Sequence, residues 1–582
     1  MTTTAIIIAG AVLYIASYFL YGRWIDRRIV GMDPAAPTPA HRLGDGLDYV
    51  PAHPVVLFGH HFASIAGAGP IIGPAIAMVW GWFPGLLWIW LGNVFMGAVH
   101  DYLSLMASVR YDGKSVQWIA ARIVRPRTGY AFSVFILFTL ILVIAAFASV
   151  IAKTFVASPG VPTASFGLVG AAPLLGLLLY RSKLPFWLST AIGLVMLSGC
   201  VVAGVYLPWS MGYHHWLALL SVYIVIAAAI PVNILLQPRD YLNAWLLVAG
   251  LVLGAVGLLA AFHPFVLPAV TAFSVPLDLG GARSVAAAPF WPVIPLVIAC
   301  GSLSGFHALV ASGTSSKQLD SERSALFVGM GGMFTEGFLS TMVVACIAAF
   351  GAMAAGRAGI AWEVDGAGSF STAYAALMEK AGGPVGVFSV CFGLLLETAL
   401  GLPATLMALL ASLWVASFAL TTLDTTNRIA RYTATELAEP LRRSSPSLYR
   451  ILTNPWTASL LPAAAGVARA WTDQFALIWP AFGGANQMLA SVAMLTVAVW
   501  VIKELRSPFG IAVVVPALLL WITVTGALAW YLVVAIPVFV GSSAVQAVAL
   551  GIVVVVMLLL NLLLLYDFAR RMMGRGADVR SP

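Results

Sequence analysis

The sequence predicts an all-α polytopic membrane protein: about fifteen transmembrane helices, some of them broken, around a five-plus-five inverted-repeat core. Three observations predict it. Hydrophobic residues make up 61% of the chain and charged residues only 9%, with a mean hydropathy of +0.97, whereas a soluble protein carries about a quarter charged residues. Apolar runs of the roughly 20 residues that a helix needs to cross a bilayer recur from end to end. Basic residues gather in alternate loops: with the N-terminus placed outside, twenty-five of the thirty Lys and Arg fall on the cytoplasmic side, as the positive-inside rule describes. The net charge of +8 is therefore topological, and nucleic acid is not a partner. The expected location is the inner (plasma) membrane, crossed an odd number of times, with the N-terminus periplasmic and the C-terminus cytoplasmic.

Residues 1–567 read as a single transmembrane domain. The run 4–22 has neither a basic leader nor a small-residue cleavage site, so it is expected to stay as an extra N-terminal helix. A first repeat region with inserted helices covers 54–237, with spans near 54–79, 84–108, 130–156, 164–180, 185–207 and 215–237, followed by one near 241–262. The second repeat covers 289–501, with spans near 289–314, 325–353, 385–422, 456–471 and 474–501. Helices 509–532 and 545–567 close the domain, and 568–582 is a cytoplasmic tail. The run 385–422 is too long for one straight span, and Gly401-Leu402-Pro403 marks its first part as a separate re-entrant or periplasmic piece. The run 456–471 is short and carries Arg469. Two loops, 263–288 and 355–382, are long enough for extra structure, the second for a surface helix around Ser371 to Lys380.

Leu57 to Pro74 is the stretch around which the chain is organised. Gly67-Ala68-Gly69-Pro70 and then Gly73-Pro74 interrupt it, and residues that give up helical stability or a backbone N–H predict an unwound segment. Unwound backbone at membrane depth occurs where protein or a water-filled cavity surrounds it, and it marks binding sites in transporters. His60, His61 and Ser64 stand just before the break. The span 289–314 is of the same kind, with Gly301, Gly305, Gly313, a lone His307 and hydroxyls including Ser304. It lies seven spans later and so runs in the opposite direction, as inverted repeats require. The candidate substrate-binding residues are His61, Ser64, Gly67, Ala68, Gly69, Ser304, Gly305 and His307. The alternative is a kinked helix whose glycines allow close packing and whose histidines only cross-link helices.

Ionisable groups inside apolar spans are costly, so each one asks for a reason. They are His100-Asp101, Glu336, Glu397 and Asp424, the last among Thr421, Thr422, Thr425 and Thr426. A coupling cation is expected, H+ or Na+. His61 and His307 suit a proton; Thr421, Thr422 and Thr425, with Asp424 and carbonyls of the first break, suit Na+. Asp424 has a plainer alternative, an i,i+4 pair with Arg428. Asn486 and Gln487 add amides that either cross-link helices or line the path. Cys200, Cys300, Cys346 and Cys391 are scattered in apolar runs without CxxC and read as packed thiols. No catalytic motif is present, whether HExxH, Walker loop or G-x-S-x-G, so the chain is not expected to be an enzyme. A haem ligated by His61 and His307 is disfavoured because no further histidines pair, and no cofactor or resident metal is expected.

The blocks PVVLFGHHFASIAGAGPIIGPAIA, WGWFPGLLWIWLGNVFMGAVHDYLSLMASVRYDGKS, SGFHALVASGTSSKQLD, FALTTLDTTNRIARY and IWPAFGGANQMLA, between about residues 53 and 490, resemble the carbon-starvation protein A family. That resemblance implies an inner-membrane carrier for peptides, or for pyruvate with protons. The family is similar to the amino acid–polyamine–organocation superfamily, which implies a LeuT-like five-plus-five core. Its expected function is secondary active uptake of a small carboxylate such as pyruvate, proton-coupled; the alternative is peptide or amino-acid transport, sodium-coupled.

Overall fold

A computed structural model describes residues 1–46, 48–232, 234–278, 284–362, 367–472, 475–540 and 544–573. Most of the predicted cytoplasmic tail, with Arg575 and Arg580, lies outside the described residues, as does Arg283. The chain is predominantly helical. Twelve of the described helices are long and apolar enough to cross a membrane.

The count is lower than fifteen because three predicted spans do not form long apolar helices. The run 215–237 stops at Ala229, giving a helix of 17 residues, Tyr213–Ala229, with Pro231 two positions on. The run 456–471 forms Pro455–Ala470, 16 residues ending beside Arg469. The run 289–314 divides into Phe290–Val297 and Gly305–Gly313. As the proline and glycine suggest, 385–422 also divides. Pro384–Leu400 ends at Gly401 in the left-handed region (φ 68°), and Ala404–Ala438 continues as a separate helix of 35 residues. Pro384–Leu400 makes a 90° bend with the preceding Phe370–Lys380. That preceding piece is more than a surface helix, because Phe370 and Tyr374 are buried and the Tyr374 hydroxyl donates to the Ala75 carbonyl at 2.7 Å. The loop 263–288 holds an antiparallel pair of strands, Ser274–Asp278 and Ser284–Pro289.

Both breaks are present. The first span runs as helix Pro54–Ala66, unwinds at Gly67 and Ala68, and resumes as Gly69–Ala77. Gly67 sits at φ 51°, ψ −148°, where L side chains are strained. A Cβ there would also lie 2.7 Å from Thr422 Oγ1 and 2.8 Å from Phe147 Cε1. Between Val297 and Gly305 the second span is non-helical, with Gly301 at φ 82°. The two breaks touch: a Cβ on Gly69 would lie 2.6 Å from Cys300 Sγ. Small residues at this crossing let two backbones meet at the centre of the bundle.

Candidate functional site

The second break is held by polar side chains from three other spans. Asn486, on helix Phe475–Val499, accepts from the Phe306 N–H (2.9 Å) and the Ser304 hydroxyl (3.1 Å), and donates to the Ala299 carbonyl (2.9 Å). Gln487 donates to the Leu303 carbonyl at 2.9 Å. From the span Glu322–Arg357, Glu336 Oε1 accepts the Gly301 N–H at 2.8 Å; from Trp82–Arg110, Asn93 Nδ2 donates to the Gly301 carbonyl at 2.8 Å. Unwound backbone needs its polar groups satisfied at this depth, and these amides and the carboxylate satisfy them. The Phe306 N–H, which a free half-helix N-terminus would offer to an anion, is therefore already engaged by Asn486.

His307 lies between two carboxylates. Its Nδ1 is 3.2 Å from Asp101 Oδ2 and its Nε2 is 3.5 Å from Glu336 Oε2, ion-pair distances without hydrogen-bond alignment. His100 Nδ1 lies 3.0 Å from the other Asp101 oxygen. Cys300 Sγ, His307 and Glu336 each present an atom within 4.8 Å of the others. All of these side chains are buried. His61 bonds through Nδ1 to the Ser315 hydroxyl at 2.8 Å, just past the second half-helix. The two histidines are enclosed, and no hydrogen bond joins them among the described residues.

The first break faces helix Ala404–Ala438. Thr422 Oγ1 donates to the Ser64 carbonyl at 3.0 Å, and Ser64 Oγ lies 3.3 Å from Thr425 Oγ1. Thr421 and Asp424 point elsewhere. Thr421 Oγ1 donates to Asp240 Oδ1 at 3.1 Å and accepts from Asn243 Nδ2 at 3.0 Å. Asp424 pairs with Arg239 and takes the Tyr223 hydroxyl at 2.5 Å. The i,i+4 alternative for Asp424 is wrong: Arg428 turns instead to Asp48 at 3.4 Å and to the carbonyls of Ala227 and Ile230. The residues expected to suit Na+ therefore separate into Thr422 and Thr425 at the break and Thr421 and Asp424 in a buried ion network.

That network was missed at the level of sequence. Arg239, one of the twenty-five Lys and Arg assigned from the sequence to the cytoplasmic side, is 1% exposed on helix Leu236–Ala261 and is paired with both Asp240 and Asp424. His60 Nδ1 lies 2.7 Å from the second Asp240 oxygen. The available signal was the adjacent Arg239-Asp240 at the start of an apolar run, since buried charges occur in pairs. Lys317, beyond the second half-helix, is half-buried, its ammonium 4.2 Å from the Tyr432 ring centre and 5.5 Å from that of Tyr49. Burial pushes that ammonium below its ordinary value of 10.5, with Asp48 and Glu436 opposing. A cavity of about 530 Å³ lies away from both breaks, lined among others by Ser158, Gly160, Gly382 and Ser412.

The family model described as Carbon starvation protein CstA matches residues 2–527. The peptide transporter CstA of Escherichia coli (strain K12) is 33% identical, over 88% of this chain and 78% of its own. Its Bacillus subtilis (strain 168) namesake is 31% identical over 91% and 90%. The pyruvate/proton symporter BtsT of Escherichia coli (strain K12) is 30% identical over 90% and 81%. Solved structures it resembles include a manganese transporter of Eremococcus coleocola (13% identity, 91% and 99% covered, TM-score 0.39). A Na+-coupled sialic acid symporter is another (12% identity, 90% and 96% covered, TM-score 0.40). With a family match over nearly its whole length and relatives at this identity, the chain belongs to the carbon starvation protein CstA family of membrane transport proteins.

Proposed function

We propose that this protein takes up a small carboxylate, pyruvate or a related nutrient, across the inner membrane by proton symport, at a midplane site between its two broken spans. The observation that carries the reading is their contact at Gly69 and Cys300, with His307 set between two carboxylates beside it. An anion entering a cell that is negative inside needs a cation, since each charge costs about 2.3 kcal/mol per 100 mV. The half-helix Gly69–Ala77 begins at the first break, so its positive dipole end and the Gly69 N–H favour a carboxylate there; Pro70 has no N–H, and the Ile71 and Ile72 N–H groups bond the Ala68 carbonyl. Because Asn486 occupies the second half-helix N-terminus, the substrate carboxylate is assigned to Ala68 and Gly69, with His61 and Ser64 alongside. The relative named as a pyruvate/proton symporter supports this substrate and ion.

Fifteen crossings belong to the same proposal. The twelve long helices are joined by the two-piece second span, Tyr213–Ala229 and Pro455–Ala470, with the bent pair taken as a re-entrant piece, a course compatible with its 90° bend. That arrangement keeps the inverted repeat and puts the N-terminus outside and the C-terminus inside.

A second reading is a peptide or amino-acid carrier driven by Na+. The Ser64 carbonyl with Thr422 and Thr425 favours it, because hydroxyl and carbonyl oxygens suit a hard cation, and relatives named as peptide transporters supply the substrate. Competition of labelled pyruvate uptake by lactate, amino acids and dipeptides separates the two. Lactate competes best under the first reading; dipeptides competing best, or no pyruvate uptake, refutes it.

A further inference from the structure

Resting on the proton-symport reading, we propose that Asp101, His307 and Glu336 form one proton-holding unit, and that Glu336 conveys its charge state to the second break through the Gly301 N–H. The unit spans three elements: Asp101 on Trp82–Arg110, His307 on Gly305–Gly313 and Glu336 on Glu322–Arg357. Neither carboxylate has a Lys or Arg partner among the described residues; Asp101 has His100 and His307, and Glu336 has His307. The other titratable groups facing it are Cys300 in the break, His61 from the first span and Tyr14 from the N-terminal helix, whose hydroxyl packs against Gly337. All are buried.

Charge balance then dictates the chemistry. With His307 as the imidazolium and His100 and His61 neutral, ionising both carboxylates leaves the pocket a net negative charge away from water, which is strongly unfavourable. A second proton on a carboxyl makes the unit neutral. The two states differ by one proton. The negative one repels a carboxylate substrate at the adjoining first break, and the neutral one admits it, so one proton accompanies one anion. The same proton acts on the backbone. An ionised Glu336 holds the Gly301 N–H by a charge-assisted bond, and a protonated Glu336 holds it more weakly. Asn93 anchors the carbonyl of Gly301 and also that of Met333, on the Glu336 span. Loading the proton therefore loosens one of the two ties on the Gly301 residue, linking proton binding to the geometry of the break.

The experiment uses the full chain in two formats. In infrared difference spectra of the purified protein between acid and alkaline pH, wild type shows a protonated-carboxyl C=O band that Glu336→Gln or Asp101→Asn diminishes, while Glu336→Asp keeps it. In proteoliposomes, Glu336→Gln lowers pyruvate accumulation driven by a pH gradient by about tenfold more than it lowers pyruvate exchange, and flattens the pH profile of exchange. A merely structural residue would depress both activities together, and that result, or the absence of the infrared band in wild type, overturns the proposal. Cobalt(II) binding with a thiolate charge-transfer band that Cys300→Ser abolishes also overturns it, because the cluster is then a metal site. If the band behaves as stated but wild type transports no pyruvate, the transport reading fails and the proton unit stands.

Discussion

Arg239 shows most clearly what a single residue does here. It is 1% exposed among Asp240, Asp424, Tyr223 and Thr421, so it joins Leu236–Ala261, Tyr213–Ala229 and Ala404–Ala438 through charge. Removing one partner of a buried pair leaves an uncompensated charge and costs about 3–5 kcal/mol. Arg239→Met should therefore lower the melting temperature of the detergent-solubilised protein, and adding Asp424→Leu should restore part of it. A melting temperature like wild type for the single variant would show that the charges are hydrated. Lys317 behaves in the opposite sense. Its lowered value means that the folded state gives up the proton before the unfolded one does, so its penalty is fully present below the folded value. The penalty is relieved as pH rises toward 10.5. Lys317→Met should thus be the more stable protein at neutral pH, with the gap from wild type closing in the alkaline window below 10.5; thermal melts of both across pH test it.

At the scale of elements, the first break was legible from Gly67-Ala68-Gly69-Pro70 because those residues oppose helix locally. Gly401-Leu402-Pro403 ended a helix for the same reason. The second break was only partly legible. Gly301 marks it, but the unwound stretch from 298 to 304 is held by Asn486, Gln487, Glu336 and Asn93, which no local pattern connects to it. Likewise His307 was visible as a lone histidine, whereas its position between Asp101 and Glu336 depends on three separate spans meeting. The threonines were seen as one group, yet helical spacing turns Thr421 toward Arg239 while Thr422 and Thr425 face Ser64. At Gly67 positive φ and close neighbours coincide. Gly67→Ala should therefore abolish uptake while insertion and expression stay near normal. Uptake at the wild-type rate would place the substrate elsewhere.

Across the whole molecule, hydropathy and the distribution of Lys and Arg made the membrane class evident, because both are sums over many residues. The number of crossings was less secure, since it turns on helices of 16 or 17 residues that lie at the limit of what spans a bilayer. Fifteen crossings predict termini on opposite faces; cysteine-tag labelling of each terminus in intact cells checks this, and two termini on one face would exclude an odd count. The central claim is that a proton drives a small carboxylate inward between the two breaks. Its most direct test is accumulation of labelled pyruvate in proteoliposomes with one imposed gradient at a time. Proton symport predicts accumulation under a pH gradient alone, lost in His307→Ala. Accumulation under an inward Na+ gradient at constant pH, lost in Thr422→Ala, would contradict it.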